Sequence, residues 1–408
     1  MTQPSSDFYR IKRLPPYVFA VVNEQKARDR AAGLDIIDLG MGNPDSPVAP
    51  HIVDKLRETL SQPKVDGYSV SRGIKGLRRA QAGYYQRRFG VELCPDKEVI
   101  VTIGSKEGLA NLLSAITAPG DVIMVPNPSY PIHPYGSIIA GGSVWHIPNT
   151  TGPEFFEQLH RAIKHCKPKP IALIINYPCN PTAEVVDLAF YEQVVDICKM
   201  HGIWLISDIA YGEIYFGDTP PPSVLQVKGA KDIAIEFTTM SKTYSMAGWR
   251  VGFAAGNPHL VGALTRIKSY LDYGAFTPIQ VAATAAINGS QQCVEDLRTL
   301  YRERRDVLVD GLHQAGWKVQ TPEASMFVWA ELPEAYRKVG SLAFAQALIQ
   351  HAQVAVAPGI GFGEYGDSHV RIALVENKQR LRQAVRNIKQ FLAMDSEEVL
   401  HGLAAKLS

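Results

Sequence analysis

No two cysteines in this 408-residue chain stand in a C-x-x-C arrangement. Cys94, Cys166, Cys179, Cys198 and Cys293 are odd in number and widely spaced. That pattern offers neither a disulfide framework nor a zinc site, no metal is expected, and each cysteine reads as a small buried hydrophobe. An excess of charge is missing as well. The 42 Lys and Arg against 40 Asp and Glu leave +2 at pH 7, too little of one sign to draw in nucleic acid or an anionic membrane. No uninterrupted apolar run reaches the length of a membrane span, and the opening MTQPSSDFYRIKRLPPYVF has no continuous apolar core of signal-peptide length, so the cytoplasm is the expected compartment. Internal repeats and low-complexity tracts are absent too.

What is present is a chain that is 46% hydrophobic and long enough for two or three domains. Short Val/Ile-rich runs alternate with helical periods. VIVTIG (99–104), DVIMVPN (121–127), IALIIN (171–176), IWLISD (203–208), IAIEFTT (233–239) and VGFAAG (251–256) are continuous apolar runs, as expected of strands buried on both faces of a mostly parallel sheet. Between them lie helical segments. In one of these, Leu109, Leu112, Leu113 and Ile116 recur at helical spacing before Pro119 and Gly120. The pattern predicts an α/β domain whose ligand site lies at the carboxyl ends of its strands. Beyond about residue 285 the texture changes to a long charged helix, then the shorter strands MFVWAEL and HVRIALVE, then a helix carrying Leu381, Ala384, Val385 and Ile388. We therefore expect an N-terminal arm and part of a small domain over 1–47, a large domain over 48–285, and a C-terminal α+β small domain over 286–408. Gly361, Gly363 and Gly366 satisfy G-x-G-x-x-G, yet a strand follows where a dinucleotide fingerprint requires a helix, so the run reads as a turn.

The chemistry gathers at strand ends. IWLISD closes on Asp208 and continues to Tyr211, IALIIN runs into YPCNPTA with Asn180, and TTMSKTYSMAGWRVGF sets Lys242 among hydroxyls with Arg250 eight residues on. Singly, each has a plainer reading as a helix cap, a turn or core. Together they suit an aldehyde cofactor bound through a lysine. Such a lysine must be neutral for part of the cycle, which a desolvated pocket or a cationic neighbour such as Arg250 provides. Pyridoxal 5'-phosphate fits: a carboxylate such as Asp208 would hold the proton on its ring nitrogen, and Asn180 and Tyr211 could donate to its ring hydroxyl oxygen. GSKEG (104–108) opens a helix with Ser105 as hydroxyl and candidate N-cap, and Thr239, Ser241 and Arg250 complete a phosphate cup.

These motifs resemble the class I and II aminotransferases of the pyridoxal-phosphate fold type I. SKTYSMAGWRVGF is the most specific mark, and NPSYP, NYPCNPT, SDIAY and HVRIAL match in order over essentially the whole chain. The resemblance implies a large domain around a mostly parallel seven-stranded sheet, a small domain built from both chain ends, and a homodimer with shared active sites. It further implies that Lys242 binds the cofactor covalently and shuttles the proton, that Asp208 pairs with the ring nitrogen, and that Tyr130 stacks on the ring. Ser105 and Lys106 match the phosphate-binding turn, and Tyr68 in GYSVSRG matches the tyrosine that reaches the phosphate of the other subunit. Arg371 matches the arginine that clamps the substrate α-carboxylate, with the Gly42 backbone nearby. Thr239 departs from the serine of many relatives but keeps the hydroxyl.

The implied reaction is a ping-pong transamination between amino acids and 2-oxo acids. RLPPYVF, YSVSRGIKGLRRA, VTIGSKEGLA, IKSYLDYGAFTPIQVAA and APGIGFGEYGD are most similar to bacterial glutamate-pyruvate (alanine) aminotransferases. The same blocks also resemble LL-diaminopimelate aminotransferases, in which the residues matching Tyr17 and Lys106 help read a longer substrate. Alanine is the expected donor; LL-diaminopimelate and aspartate remain open, as does a carbon-sulfur lyase using the same cofactor cage. A cofactor-sensing DNA-binding regulator is disfavoured, because no basic helix-turn-helix precedes residue 50.

Overall fold

Strands β1 (Ile37–Asp38), β2 (Val99–Thr102), β3 (Val122–Asn127), β4 (Ser143–Pro148), β5 (Ala172–Asn176) and β6 (Trp204–Asp208) lead into β7 (Ala234–Thr239) and β8 (Gly252–Gly256). They occur in a computed structural model that describes residues 8–399 and 401. All but β1 join one seven-stranded sheet in the order β2-β8-β7-β6-β5-β3-β4. Every residue of β2, β3, β5, β7 and β8 is buried, which is what their unbroken apolar runs require of strands covered on both faces. One hydrophobic cluster, with Leu173, Val194 and Leu205, and another, with Leu109, Ile174 and Ile235, form around these strands.

Two features depart from the sequence reading. The seventh strand, β4, has no continuous apolar run: Ser143 and His146 are exposed and only Ile147 is buried. It is the edge strand beyond β3, where pairing needs a buried neighbour on one side only. Second, β8 runs antiparallel to both β7 and β2, whereas the remaining ladders are parallel. The chain therefore turns back after Thr239 and re-enters the sheet at Gly252.

A second sheet contains β11 (Ala357–Pro358), β12 (His369–Ala373) and β9 (Phe327–Glu331), all antiparallel. The pair of β1 with β10 (Val354–Ala355) brings the first part of the chain onto this region. A shared core joins Ile37 and Leu39 to Leu308, Phe344 and Ile372. The Lys378–Leu392 helix packs on it through Leu381, Ala384, Ile388 and Phe391, and Asn377 caps it by accepting from the N–H groups of Gln379 and Arg380. The glycine run 361–366 is two short 3-10 turns between β11 and β12, so no dinucleotide loop exists there. Among the described residues, no helix is long and apolar enough to cross a membrane.

Candidate active site

The carboxyl ends of the parallel strands and the facing edge of the smaller sheet enclose a cleft of about 490 Å³. Asn176 and Asp208, the last residues of β5 and β6, are register partners across the ladder. Asn176 Nδ2 donates to the Asp208 carbonyl at 2.7 Å, and its Oδ1 accepts from Asn180 N at 2.9 Å, so one amide holds both neighbours in place. Asp208 is 4% exposed. Its Oδ1 accepts from Ala210 N at 3.1 Å and its Oδ2 lies 3.1 Å from His133 Nε2.

Lys242 sits on the single turn Met240–Thr243 that follows β7, started by Thr239, whose Oγ1 accepts from Ser241 N at 3.2 Å. Its Nζ donates to the Gly42 carbonyl at 2.6 Å. Burial, then the positive charges of Arg371 and Arg250, lower the Lys242 pKa to about 8. Of the two cations in TTMSKTYSMAGWRVGF, Lys242 is thus the enclosed one. Arg250 is exposed at the cleft wall, and its Nη1 donates to Ala247 O at 2.7 Å.

Arg371, from the middle of β12, is 7% exposed. Its guanidinium carbon lies 4.0 Å from the Phe327 ring centroid and 4.7 Å from that of Phe362, giving it an aromatic face on two sides. Nη1 donates to Asn180 Oδ1 at 2.7 Å and Nη2 to Gly40 O at 3.0 Å, while Nε is buried without a partner among the described residues. Burial lowers its pKa to about 10. Among the described residues the group thus has no carboxylate partner, and it retains a donor to satisfy. A Cβ on Gly42 would lie 2.6 Å from the Phe327 ring, so only glycine lets that backbone approach.

At the other end of the cleft, Gly104 is the N-cap of the Ser105–Ile116 helix and Ser105 its first residue, with no side-chain cap. This corrects the expectation that Ser105 caps the helix. Gly104 takes φ +83, and a Cβ there would sit 2.1 Å from Arg250 Nη2. Its missing side chain admits the guanidinium beside the helix start. Ser105, Thr239, Ser241 and Arg250 all line this end, and Lys106 is exposed at its rim with Nζ 5.8 Å from the Tyr130 ring centroid. Tyr130 and Tyr211 line the wall, and burial raises the pKa of both phenols. Tyr17 is 62% exposed at the mouth.

Thirteen of the fourteen sequence-derived site residues therefore line one cleft. Tyr68 does not. It is 88% exposed and stacks on Tyr273 at 4.6 Å between ring centroids. The sequence reading missed His133, Asn176, Phe327 and Phe362. His133 follows Tyr130 by three residues across a turn, and Phe362 lies inside the glycine run, so both stand in stretches already singled out in sequence but without a signal of their own.

An anion-ready helix start, a weakly basic lysine and a buried carboxylate are the donor set that pyridoxal phosphate needs. The comparison with known proteins agrees: residues 34–388 match the family "Aminotransferase class I and II". The chain belongs to the class I and II aminotransferases. Pyridoxal 5'-phosphate is its cofactor, and amino acids and 2-oxo acids are its substrates. It is 58% identical to the putative aminotransferase AatC of Rhizobium meliloti, over 97% of this chain and 98% of that protein. It is 55% identical to the glutamate-pyruvate aminotransferase AlaC of Escherichia coli, over 97% and 96%, and 43% identical to the LL-diaminopimelate aminotransferase of Desulforudis audaxviator, over 93% and 96%. Among solved structures, apo-BacF from Bacillus subtilis superposes with a TM-score of 0.89 at 35% identity, covering 96% of this chain and 100% of that one.

Proposed function

We propose that this aminotransferase moves the amino group between L-alanine and 2-oxoglutarate, yielding pyruvate and glutamate in a ping-pong exchange. The observation that carries the reading is the convergence of Lys242, Asp208 and Arg371 on one cleft, with Lys106, among the described residues, as the one further Lys or Arg besides Arg250 that lines it. Arg371 holds the α-carboxylate common to both amino acids, beside the Gly42 backbone. Alanine asks for nothing more, and Lys106 or Tyr17 meets the distal carboxylate of glutamate. Greater identity to AlaC than to the LL-diaminopimelate enzymes supports alanine over the longer substrate.

Bound pyridoxal phosphate supplies the aldehyde that accepts the amino group and the electron sink that acidifies the Cα proton. Lys242 Nζ would anchor the cofactor and take that proton from Cα. Asp208, braced by His133, would hold the proton on the ring nitrogen, and Asn180 and Tyr211 would donate to the ring hydroxyl oxygen. Tyr130 would cover one face of the ring. Ser105, Lys106, Thr239, Ser241 and Arg250 would hold the phosphate. We infer a homodimer in which the partner's Tyr68 reaches the same phosphate. The exposure of Tyr68, Tyr270, Leu271 and Tyr273 in the single chain supports this. Five free thiols fit the expected cytoplasm.

The decisive test mixes cofactor-loaded protein with L-alanine and no acceptor, following cofactor absorption and pyruvate. One pyruvate per site with a full spectral change supports the assignment. No change with alanine, together with a change on adding LL-diaminopimelate or aspartate, would replace the donor and leave the site roles standing.

A further inference from the structure

Lys268, on the Pro258–Leu271 helix, has no exposed surface and is not among the residues lining the cleft. Lysine is almost never fully buried unless it is paired. Here its Nζ lies 2.7 Å from Glu107 Oε1 and 2.8 Å from Asp272 Oδ2. Glu107 is the third residue of the helix whose start forms the anion-ready end of the cleft, two positions after Ser105. Its Oε2 accepts from Ile103 N at 2.8 Å, and Oε1 also accepts from Asn111 Nδ2 at 2.5 Å.

A carboxylate in the first turn suits the helix but opposes an anion at the same end. It draws on the same positive pole and repels a phosphate directly. The cluster resolves this conflict. Among the described residues, the Glu107 oxygens are committed to Ile103, Asn111 and Lys268. The lysine also offsets the Glu107 charge.

We propose that Lys268 is a positioning residue for the cofactor's phosphate: by pairing with Glu107 and holding it against Ile103, it keeps the first-turn N–H groups at Ser105 and Lys106 free for a phosphate dianion. The inference rests on the reading of that helix start as the phosphate site. Sequence alone does not reveal it, since Lys268 is 161 positions from Glu107.

The test uses full-length apoprotein titrated with pyridoxal phosphate and, separately, with pyridoxal, which lacks the phosphate; bound cofactor is read by absorption. The wild type should prefer the phosphorylated form strongly. Lys268→Met should lose roughly tenfold in affinity for pyridoxal phosphate, the scale of one unpaired charge at partial burial, and less than about twofold for pyridoxal. Glu107→Gln, which keeps Lys268 and removes the opposing charge, should shift the preference further toward the phosphorylated form, and it serves if the methionine variant does not fold. Equal losses for both ligands in Lys268→Met, or a weakened preference in Glu107→Gln, would overturn the role of Lys268. A wild type that binds both ligands equally would instead overturn the phosphate-site reading beneath it.

Discussion

Lys242 Nζ donates to the carbonyl of Gly42 at 2.6 Å, joining the turn after β7 to a backbone segment 200 positions away in sequence. The amine thus rests on the same glycine whose backbone is proposed to meet the substrate's carboxylate. Removing the amine should leave the pocket intact and end the chemistry. Lys242→Ala should lower turnover by about 10³-fold or more while still binding pyridoxal phosphate non-covalently, as read by absorption after desalting.

The low basicity of Lys242 has a signature in stability. Its pKa is about 8 in the fold against 10.5 for the free side chain. Between these values the unfolded chain binds the extra proton, so apoprotein stability should rise from pH 8 toward pH 10. Below pH 8 the buried amine is charged and that gain is absent. Urea unfolding of the wild type and of Lys242→Met should show the rise in the former only; an equal rise in both would remove Lys242 as its source.

Asp208→Asn preserves shape and removes the charge proposed to face the cofactor's ring nitrogen. The half-reaction with alanine should slow by about 10² to 10⁴-fold, the span over which a positioned acid-base group acts. His133→Asn should cost less, on the order of tenfold, because His133 acts through its bond to Asp208. Rapid-mixing absorption measures both.

Arg371→Lys keeps a positive charge between Phe327 and Phe362 but loses the planar fork. KM for alanine should rise by about 30-fold or more, as expected when a charge-assisted bidentate pair becomes a single contact. Affinity for pyridoxal phosphate should change far less, because the Arg371 contacts run to Asn180 and Gly40 and to none of the residues proposed to surround the phosphate.

Gly104→Ala and Gly120→Ala separate backbone strain from site geometry. Both positions have positive φ, +83 and +92, but only at Gly104 would a Cβ strike the Arg250 guanidinium. Gly120→Ala should cost about 1 to 2 kcal/mol of stability with cofactor affinity intact. Gly104→Ala should also weaken pyridoxal phosphate binding.

The strands of the large sheet were legible wherever both faces are covered, because burial on two sides leaves no polar position to interrupt the run. Edge strand β4 was illegible for the converse reason. Asp208, Asn180 and Lys242 could be found because each stands at the end of a legible strand or just past it. The aromatic faces on Arg371 could not, since Phe327 comes from the neighbouring strand and Phe362 from the turn beyond β11, and neither carries a chemical label in sequence. His133 reads locally as one more histidine beside a tyrosine; only its distance to Asp208 distinguishes it.

The reversal of β8 has a consequence for assembly. Because β7 and β8 are antiparallel neighbours, Lys242 and Arg250 occupy one short connection and come together through contacts local in sequence. Gly42, Asn180 and Arg371 meet only after much longer loops have closed, a slower event in a folding chain. The proposed anchor for the cofactor and the proposed clamp for its substrate thus differ in contact order. Moving the chain termini by circular permutation to a site between Gly42 and Arg371 but outside residues 234–256 would leave the anchor's connectivity intact while changing the loop that joins Gly42 to Arg371.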